Sequence, residues 1–334
     1  MAAKMQTETP YVPLELLASQ ILSRLPVGSL LRFSTTGFYR WEPRGKDAVT
    51  LLHRMADDHM LREMEAAHDL AHCDGLVLLP SEATLRMLNP ATRRILSMAS
   101  VEPRHQSAAV RSVYKLAKGY QYTLGMEIFT VGTDQQWRDV KKPPPYPIKP
   151  ARTATFCKGS LYWTVEKMLL GDKTHMPGFV RLNLQDESFS LVPAPPWFSS
   201  LIKGSAVPRL AELRGQLCLA HSGHTIMSIE IWMCCCLDDS TPHWHRRFVI
   251  PIFSLHVSPK AIFDEEIVCQ LGTASLLRYN FRTGAYFVMD MGKMHDPRHG
   301  NRDNSYVAGT IFENTPSAVD AFDVIPYVPS LVHV

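Results

Sequence analysis

A turn-like cluster built on asparagine occurs three times in this chain, as RMLNPATRR (86–94), VRLNLQDES (180–188) and LRYNFRTGA (277–285). Asn89, Asn183 and Asn280 are therefore 94 and 97 residues apart. A second element alternates with the first: Glu127-Ile128-Phe129 followed by Trp137, and Glu230-Ile231-Trp232 followed by Trp244, with the two glutamates 103 residues apart. Self-similarity at a fixed interval means stacked copies of one supersecondary unit, and two elements in about 97 residues set that unit at about 48 residues. After Asp74 the chain runs as short apolar or alternating segments, LVLL, YTLGMEIFTV, SLYWTV, QLCLA, IEIWMCC and EEIVCQL, separated by turn residues. That texture is the mark of many short strands.

A unit of about 48 residues is close to the four-stranded blade of a kelch-type propeller, so the body, 72–334, is expected to hold about five or six blades. Asparagine suits a hairpin turn because its side chain can bond the backbone two residues on and because it tolerates positive φ. Gly75 in DGLVLL, Gly159 in GSLYW and Gly215 in GQLCL fit tight entries into inner strands. Proline is the one skewed count, 24 of 334 residues, and it gathers in KKPPPYPIKP (141–150) and VPAPPW (192–197). Polyproline segments can dock SH3-like domains, but in a strand-rich body these runs are read as connectors between blades.

The amino-terminal region has a different period. Leu14, Leu17, Ile21, Leu22 and Leu25 fall at steps of 3, 4, 1 and 3, the stripe of an amphipathic helix. Pro13 suits its first turn and Pro26 stops it, which implies a second short helix from about Ser29 with Leu30, Leu31 and Phe33. From Asp47 to Leu70 the residues Leu51, Leu52, Met55, Met60, Leu61 and Met64 recur among charges without glycine or proline, so a further helix is expected there.

Composition removes whole classes. Lys plus Arg exceeds Asp plus Glu by only three, 35 against 32, with no polybasic tract, so neither nucleic acid nor an anionic membrane is expected as a partner. The amino terminus MAAKMQTETP lacks a following apolar core, and the longest apolar stretch, Ile231 to Leu237, spans seven residues, so neither a signal peptide nor a membrane span is expected. Seven cysteines, none in a C-x-x-C pair, argue against a disulfide framework and for a reducing, cytoplasmic or nuclear setting.

No cofactor motif and no nucleophile signature occurs: there is no G-x-G-x-x-G after a strand, no G-x-x-x-x-G-K-[ST], no H-E-x-x-H and no G-x-S-x-G. The best metal candidate is Cys234, Cys235 and Cys236 with His243 and His245. Consecutive strand residues face opposite ways, however, so packing is the preferred reading and no metal is assigned. His221 and His224, and His295 and His299, read as solvated loop histidines. Trp137, Trp163, Trp232 and Trp244 read as wedges between packed blades rather than as a stacking platform.

The segment 12–41, VPLELLASQILSRLPVGSLLRFSTTGFYRW, closely resembles the F-box, and DGLVLL, LNPATR, ATFCKGSLYW, the EIW strand and the closing PYVPSLV resemble the plant F-box-associated domain. The resemblance implies a mainly β protein with a small α-helical head: F-box helices over 10–45, a helical linker over 46–71 and a kelch-like propeller over 72–334. It implies a non-catalytic substrate adaptor of an SCF-type ubiquitin ligase, without cofactor. The head would dock on a Skp-family linker, and through it on cullin, while the body binds an unknown target protein. Carried over by position, the Skp contacts would be Pro13, Leu14, Leu17, Ile21, Leu22, Leu25, Pro26, Leu30, Leu31 and Phe33.

Two departures stand out. Where the family continues R-F-x-x-V-C-K-x-W-R, this chain reads from Arg32 to Pro43 without the Val and Cys and with the tryptophan displaced, and Gly37 and Pro43 disfavour a third helix. The F-G-x-D-P element expected after the first blade is missing from Val101 to Gly119, so a blade there should be truncated or irregular. The alternative function is an interaction propeller outside any ligase, with a degenerate F-box packed on its own body.

Overall fold

The computed structural model describes residues 29–34, 37–42, 48–54, 72–73, 75–79, 85–98, 110–117, 121–128, 134, 138–148, 154–165, 178–195, 197–198, 208–223, 228–235, 237, 242–252, 254, 256–272, 275–290 and 323–327. They form antiparallel strands in a propeller-like arrangement with almost no helix. The first described strands are β1 (Ser29–Ser34), β2 (Gly37–Glu42) and β3 (Ala48–Arg54). A four-stranded meander follows: β4 (His72–Cys73), β5 (Leu76–Leu79), β6 (Leu85–Asn89) and β7 (Arg94–Met98). β8 (Val110–Ala117), β9 (Gln121–Ile128) and β10 (Arg138–Asp139) make a three-stranded sheet.

Three more meanders complete the body. The first is β11 (Thr155–Cys157), β12 (Ser160–Thr164), β13 (Phe179–Asn183) and β14 (Phe189–Val192). The second is β15 (Arg209–Leu213), β16 (Gln216–Gly223), β17 (Ser228–Cys235) and β18 (His243–Ile250). The third is β19 (Val257–Phe263), β20 (Glu266–Leu271), β21 (Ser275–Asn280) and β22 (Tyr286–Asp290). Finally β23 (Asp323–Tyr327) pairs with β1, giving a composite sheet in the order β23-β1-β2-β3.

Two expectations for the head are corrected here. The second helix from Ser29 is not formed: Leu30, Leu31 and Phe33 stand in β1, paired with Trp41, Arg40 and Phe38 of β2 and with Pro326, Ile325 and Asp323 of β23. A six-residue segment cannot repay helix nucleation by itself, whereas the aromatic and β-branched residues that follow it favour pairing. The helix from Asp47 is likewise replaced at its start by β3, whose Ala48–Arg54 pair with β2; 55–71 lie outside the described residues. The blade count also differs from the expected five or six, one of them irregular. Four blades are continuous four-strand meanders, the sheet at 110–139 has three described strands, and the composite sheet draws on both ends of the chain.

The turns explain why the sequence repeats. Asn89, Asn183 and Asn280 all end the third strand of a meander, and each Oδ1 accepts the backbone N–H two residues on, at 3.0 Å from Ala91, 2.9 Å from Gln185 and 3.0 Å from Arg282. Asn89 and Asn280 also take the next N–H, from Thr92 at 3.3 Å and Thr283 at 2.9 Å. Positive φ falls not on the asparagines but four residues later, at Arg93 (58°), Glu187 (57°) and Gly284 (75°). The glycine turns join the first and second strands instead: Lys158-Gly159 and Arg214-Gly215 both have φ between 47° and 77°, as the two-residue type I′ hairpin demands.

The meanders pack face to face through three apolar clusters. Met126, Val140, Ile148, Trp163, Val180 and Leu182 join the three-stranded sheet to β11–β14. Tyr162, Phe179, Val192, Leu217, Leu219 and Cys234 join β11–β14 to β15–β18. Cys218, Ala220, Ile229, Ile231, Ile267, Cys269 and Leu277 join β15–β18 to β19–β22. Alternation along β16 and β17 does this sorting, since neighbours in sequence face opposite blades. The proline runs lie between β10 and β11 and between β14 and β15, the connector positions that the sequence implies.

Candidate functional site

Pro13, Leu14, Leu17, Ile21, Leu22, Leu25 and Pro26 lie outside the described residues, so of the predicted docking residues only Leu30, Leu31 and Phe33 are placed, all in β1. No helical face brings those three together. The predicted histidine and cysteine groups also divide. His221 is buried in β16, 7% exposed, and is not the solvated loop residue expected. His224, His295, His299, Cys236 and Trp137 lie outside the described residues.

In each meander the second-to-third hairpin and the connector to the next sheet share one end of the strands. At that end of β15–β18 a polar cluster interrupts the apolar packing. Glu230 on β17 lies directly across from His221 on β16, with Oε2 3.5 Å from His221 Nε2. The same oxygen accepts from Trp232 Nε1 at 3.0 Å, while Oε1 accepts from Arg246 on β18 at 3.0 Å. Trp197, from the connector between β14 and β15, stacks on this group with ring centroids 4.4 Å from His221 and 4.9 Å from Trp232. Ser222 Oγ donates to the carbonyl of Ser254 in the next connector. One carboxylate, only 12% exposed, thus ties three strands together beneath an inter-blade tryptophan. Rings this close leave no gap for a guest between them, so the cluster is a packed polar junction between blades.

The opposite end carries charge. Arg138 of β10 grips Glu187 in the β13–β14 turn through both carboxylate oxygens, one at 2.7 Å, and also bonds Asp134 at 3.1 Å. The bidentate pair raises the guanidinium pKa and holds the Glu187 carboxyl below its usual range. Arg214 donates to the Asp264 carbonyl at 2.9 Å, and Arg282 pairs with Glu265 at 2.6 Å. These contacts latch neighbouring hairpins.

Cys234 is buried toward β11–β14, Cys235 turns the other way with Sγ 3.3 Å from His245 Nδ1, and among the described residues no three ligand-type side chains converge. Burial pushes the Cys269 thiol up to about 12 and Cys218 well above the ordinary thiol value, so both are protonated at neutral pH and poor nucleophiles. Trp163, Trp232 and Trp244 sit at blade junctions as expected; Trp244 Nε1 reaches the Pro193 carbonyl of the preceding meander at 2.9 Å. The Trp197 and Glu230 contacts escape a sequence reading because nothing in VPAPPW says that its tryptophan folds back onto a strand 35 residues away.

Comparison with known sequences decides the family, since the family model of the F-box associated beta propeller domain matches residues 46–334. The chain belongs to that family. The F-box associated beta propeller match begins at 46, ahead of the expected boundary at 72, and so takes in β3. No curated protein matches the sequence. Among solved structures, a mitotic checkpoint complex chain is 13% identical, with 87% of this chain and 75% of that chain covered and a TM-score of 0.36. A nidogen/laminin complex chain is 14% identical over 77% of this chain and 91% of that one, with a TM-score of 0.39. Hsv2 of Kluyveromyces lactis is 12% identical over 76% and 70%, with a TM-score of 0.38. Likeness at this level carries no argument about the present chain.

Proposed function

We propose that this F-box-associated propeller protein is the substrate-recognition adaptor of an SCF-type ubiquitin ligase, with residues 13–33 docking on a Skp-family linker and the body holding a target protein. The observation that carries the reading is the F-box associated family match over 46–334, directly preceded in sequence by the F-box-like segment 12–41. The end of the strands bearing Trp197, His221, Trp232 and Glu230 is the proposed target face, because the two connectors that flank β15–β18 both contact that end. The test is co-purification with a Skp-family protein and titration calorimetry. Binding should be lost in the Leu17→Asp, Ile21→Asp double variant; unchanged binding by that variant rules out the assigned interface.

A second reading is favoured by one observation, the pairing of Ser29–Ser34 with β2 and β23. In it the chain is an interaction propeller outside any ligase, whose F-box-like segment is absorbed by its own body. It predicts no Skp binding at tens of micromolar.

A further inference from the structure

The run Cys234-Cys235-Cys236 followed by His243 and His245 is a ligand-type motif that the adaptor reading leaves unused. Three consecutive cysteines cannot meet on one ion, and the β17–β18 ladder decides which one is eligible. Its register sets Cys235 across from His243, Cys234 across from Trp244 and Met233 across from His245. Opposed residues share a face and successive residues alternate, so Cys235, His243 and His245 stand on one side of the sheet. Cys234 stands on the other side, buried toward β11–β14. The H-x-H spacing, which would divide two imidazoles on a helix, aligns them on a strand.

Distances within the group fit a thiophilic ion. Cys235 Sγ lies 3.3 Å from His245 Nδ1. A sulfur at about 2.3 Å and a nitrogen at about 2.0–2.1 Å from a tetrahedral zinc ion stand about 3.5 Å from each other, so this pair needs only a small opening to share one. His243 and His245 are exposed and Cys235 is partly so, which leaves an approach from solvent; the buried Cys218 and Cys269 have none. Among the described residues no three ligand-type side chains converge as they stand, so His243 must turn toward Cys235 to close the set. Exposed side chains change rotamer within nanoseconds, and no strand has to move for this one to do so.

We propose that Cys235, His243 and His245 form a site for a zinc-class transition-metal ion, tetrahedral with water in the fourth position, on the outer strands of β15–β18. One thiolate and two imidazoles are donors that suit Zn²⁺ and do not suit Mg²⁺ or Ca²⁺. Binding forms one metal–sulfur and two metal–nitrogen bonds, and the thiol proton passes to the buffer. The ion ties the start of β18 to the end of β17, at the end of the strands away from the His221 and Glu230 cluster. This inference is independent of the adaptor reading, since none of the three residues is an assigned docking or target contact.

The test uses the full-length protein, stripped with a chelator under reducing conditions and titrated with Co²⁺ and then Zn²⁺. The expected result is one cobalt per chain, with a near-ultraviolet thiolate charge-transfer band and the intense visible bands of a tetrahedral site, all displaced by zinc. Cys235→Ser should abolish the charge-transfer band. His243→Asn and His245→Asn should each weaken zinc affinity at least tenfold in competition with a chromophoric chelator, whereas His256→Asn should change nothing. Circular dichroism checks that each variant keeps its strands. Absence of the charge-transfer band in wild type, a band that survives Cys235→Ser, or unchanged zinc affinity in either His243→Asn or His245→Asn overturns the site.

Discussion

The composite sheet β23-β1-β2-β3 and the meander β15–β18 have the same strand number and the same antiparallel ladders, yet they are assembled by opposite routes. In the meander every strand pairs with its neighbour in sequence, across a two-residue turn at 214–215 and longer loops, and its core faces are sorted by simple alternation. In the composite sheet β1 must find a partner at the far end of the chain, since its register sets Ser29 against Tyr327. Loop closure grows only slowly with length, so the distance is not what weakens such a sheet. What sets it apart is that no hairpin joins β1 to β23, so no local turn fixes their register. Local sheets are held by their hairpins, whereas the composite sheet needs two segments far apart in sequence to meet.

The largest effect is expected from removing the strand that joins the ends. Deleting 323–334 takes away the buried Val324, Ile325 and Tyr327, on the order of 6 kcal/mol at about 2 kcal/mol each. Hydrogen exchange followed by mass spectrometry should show β1–β3 losing protection while β15–β18 retain theirs. Uniform loss across the chain would mean that the two kinds of sheet are not independent. Ile231→Ala is the matching cut in the meander: it opens a cavity between β15–β18 and β19–β22 and should cost about 3 kcal/mol. Denaturant midpoints measure the cost, and the exchange increase should stop at those two sheets, sparing β1–β3.

A smaller effect separates turn chemistry from packing. Asn280→Ala removes the acceptor for the Arg282 and Thr283 N–H groups and should destabilise by about 1 kcal/mol, because water can partly replace these exposed bonds. Asn280→Asp keeps the acceptor oxygen and should be close to neutral by thermal denaturation. A penalty for Asp as large as that for Ala would show that the amide group, not the acceptor, holds the turn.

These turns are the most legible part of the molecule. Asn89, Asn183 and Asn280 announce themselves because one local mechanism, a side-chain oxygen bonding the next turn of backbone, demands one residue type at one place in each meander. Gly159 and Gly215 are legible for the same reason, although the strands they open are the second of each sheet. Leu30, Leu31 and Phe33 read as helical in isolation because a six-residue run carries both periods, and its choice is made with β2 and with β23, the second of which no local window contains. The Glu230 cluster is half legible: its place in the repeat can be read, its partners cannot. His221 reads as a loop residue beside Gly223, and only the β16–β17 register sets it across from Glu230.

The smallest effect has a sign that can be worked out. Glu212 on β15 accepts the Gly215 N–H at the type I′ hairpin, yet burial raises its carboxyl pKa, and the hydrogen bond only partly opposes that. A folded pKa above the unfolded one gives stability that is complete below the unfolded value and is lost as pH rises through the folded value. At neutral pH the charged Glu212 therefore burdens the meander. Glu212→Gln retains an acceptor for Gly215 and sheds the charge, so it should raise the melting temperature at pH 7, with the gain shrinking as pH falls from the raised folded value to the ordinary glutamate value. The composite sheet offers the contrast: if meander and composite sheet unfold separately, this pH-dependent gain should appear in the exchange of β15–β18 and leave β1–β3 unmoved, whereas a gain shared by both would show that the hairpin at 214–215 and the joined termini belong to one cooperative unit.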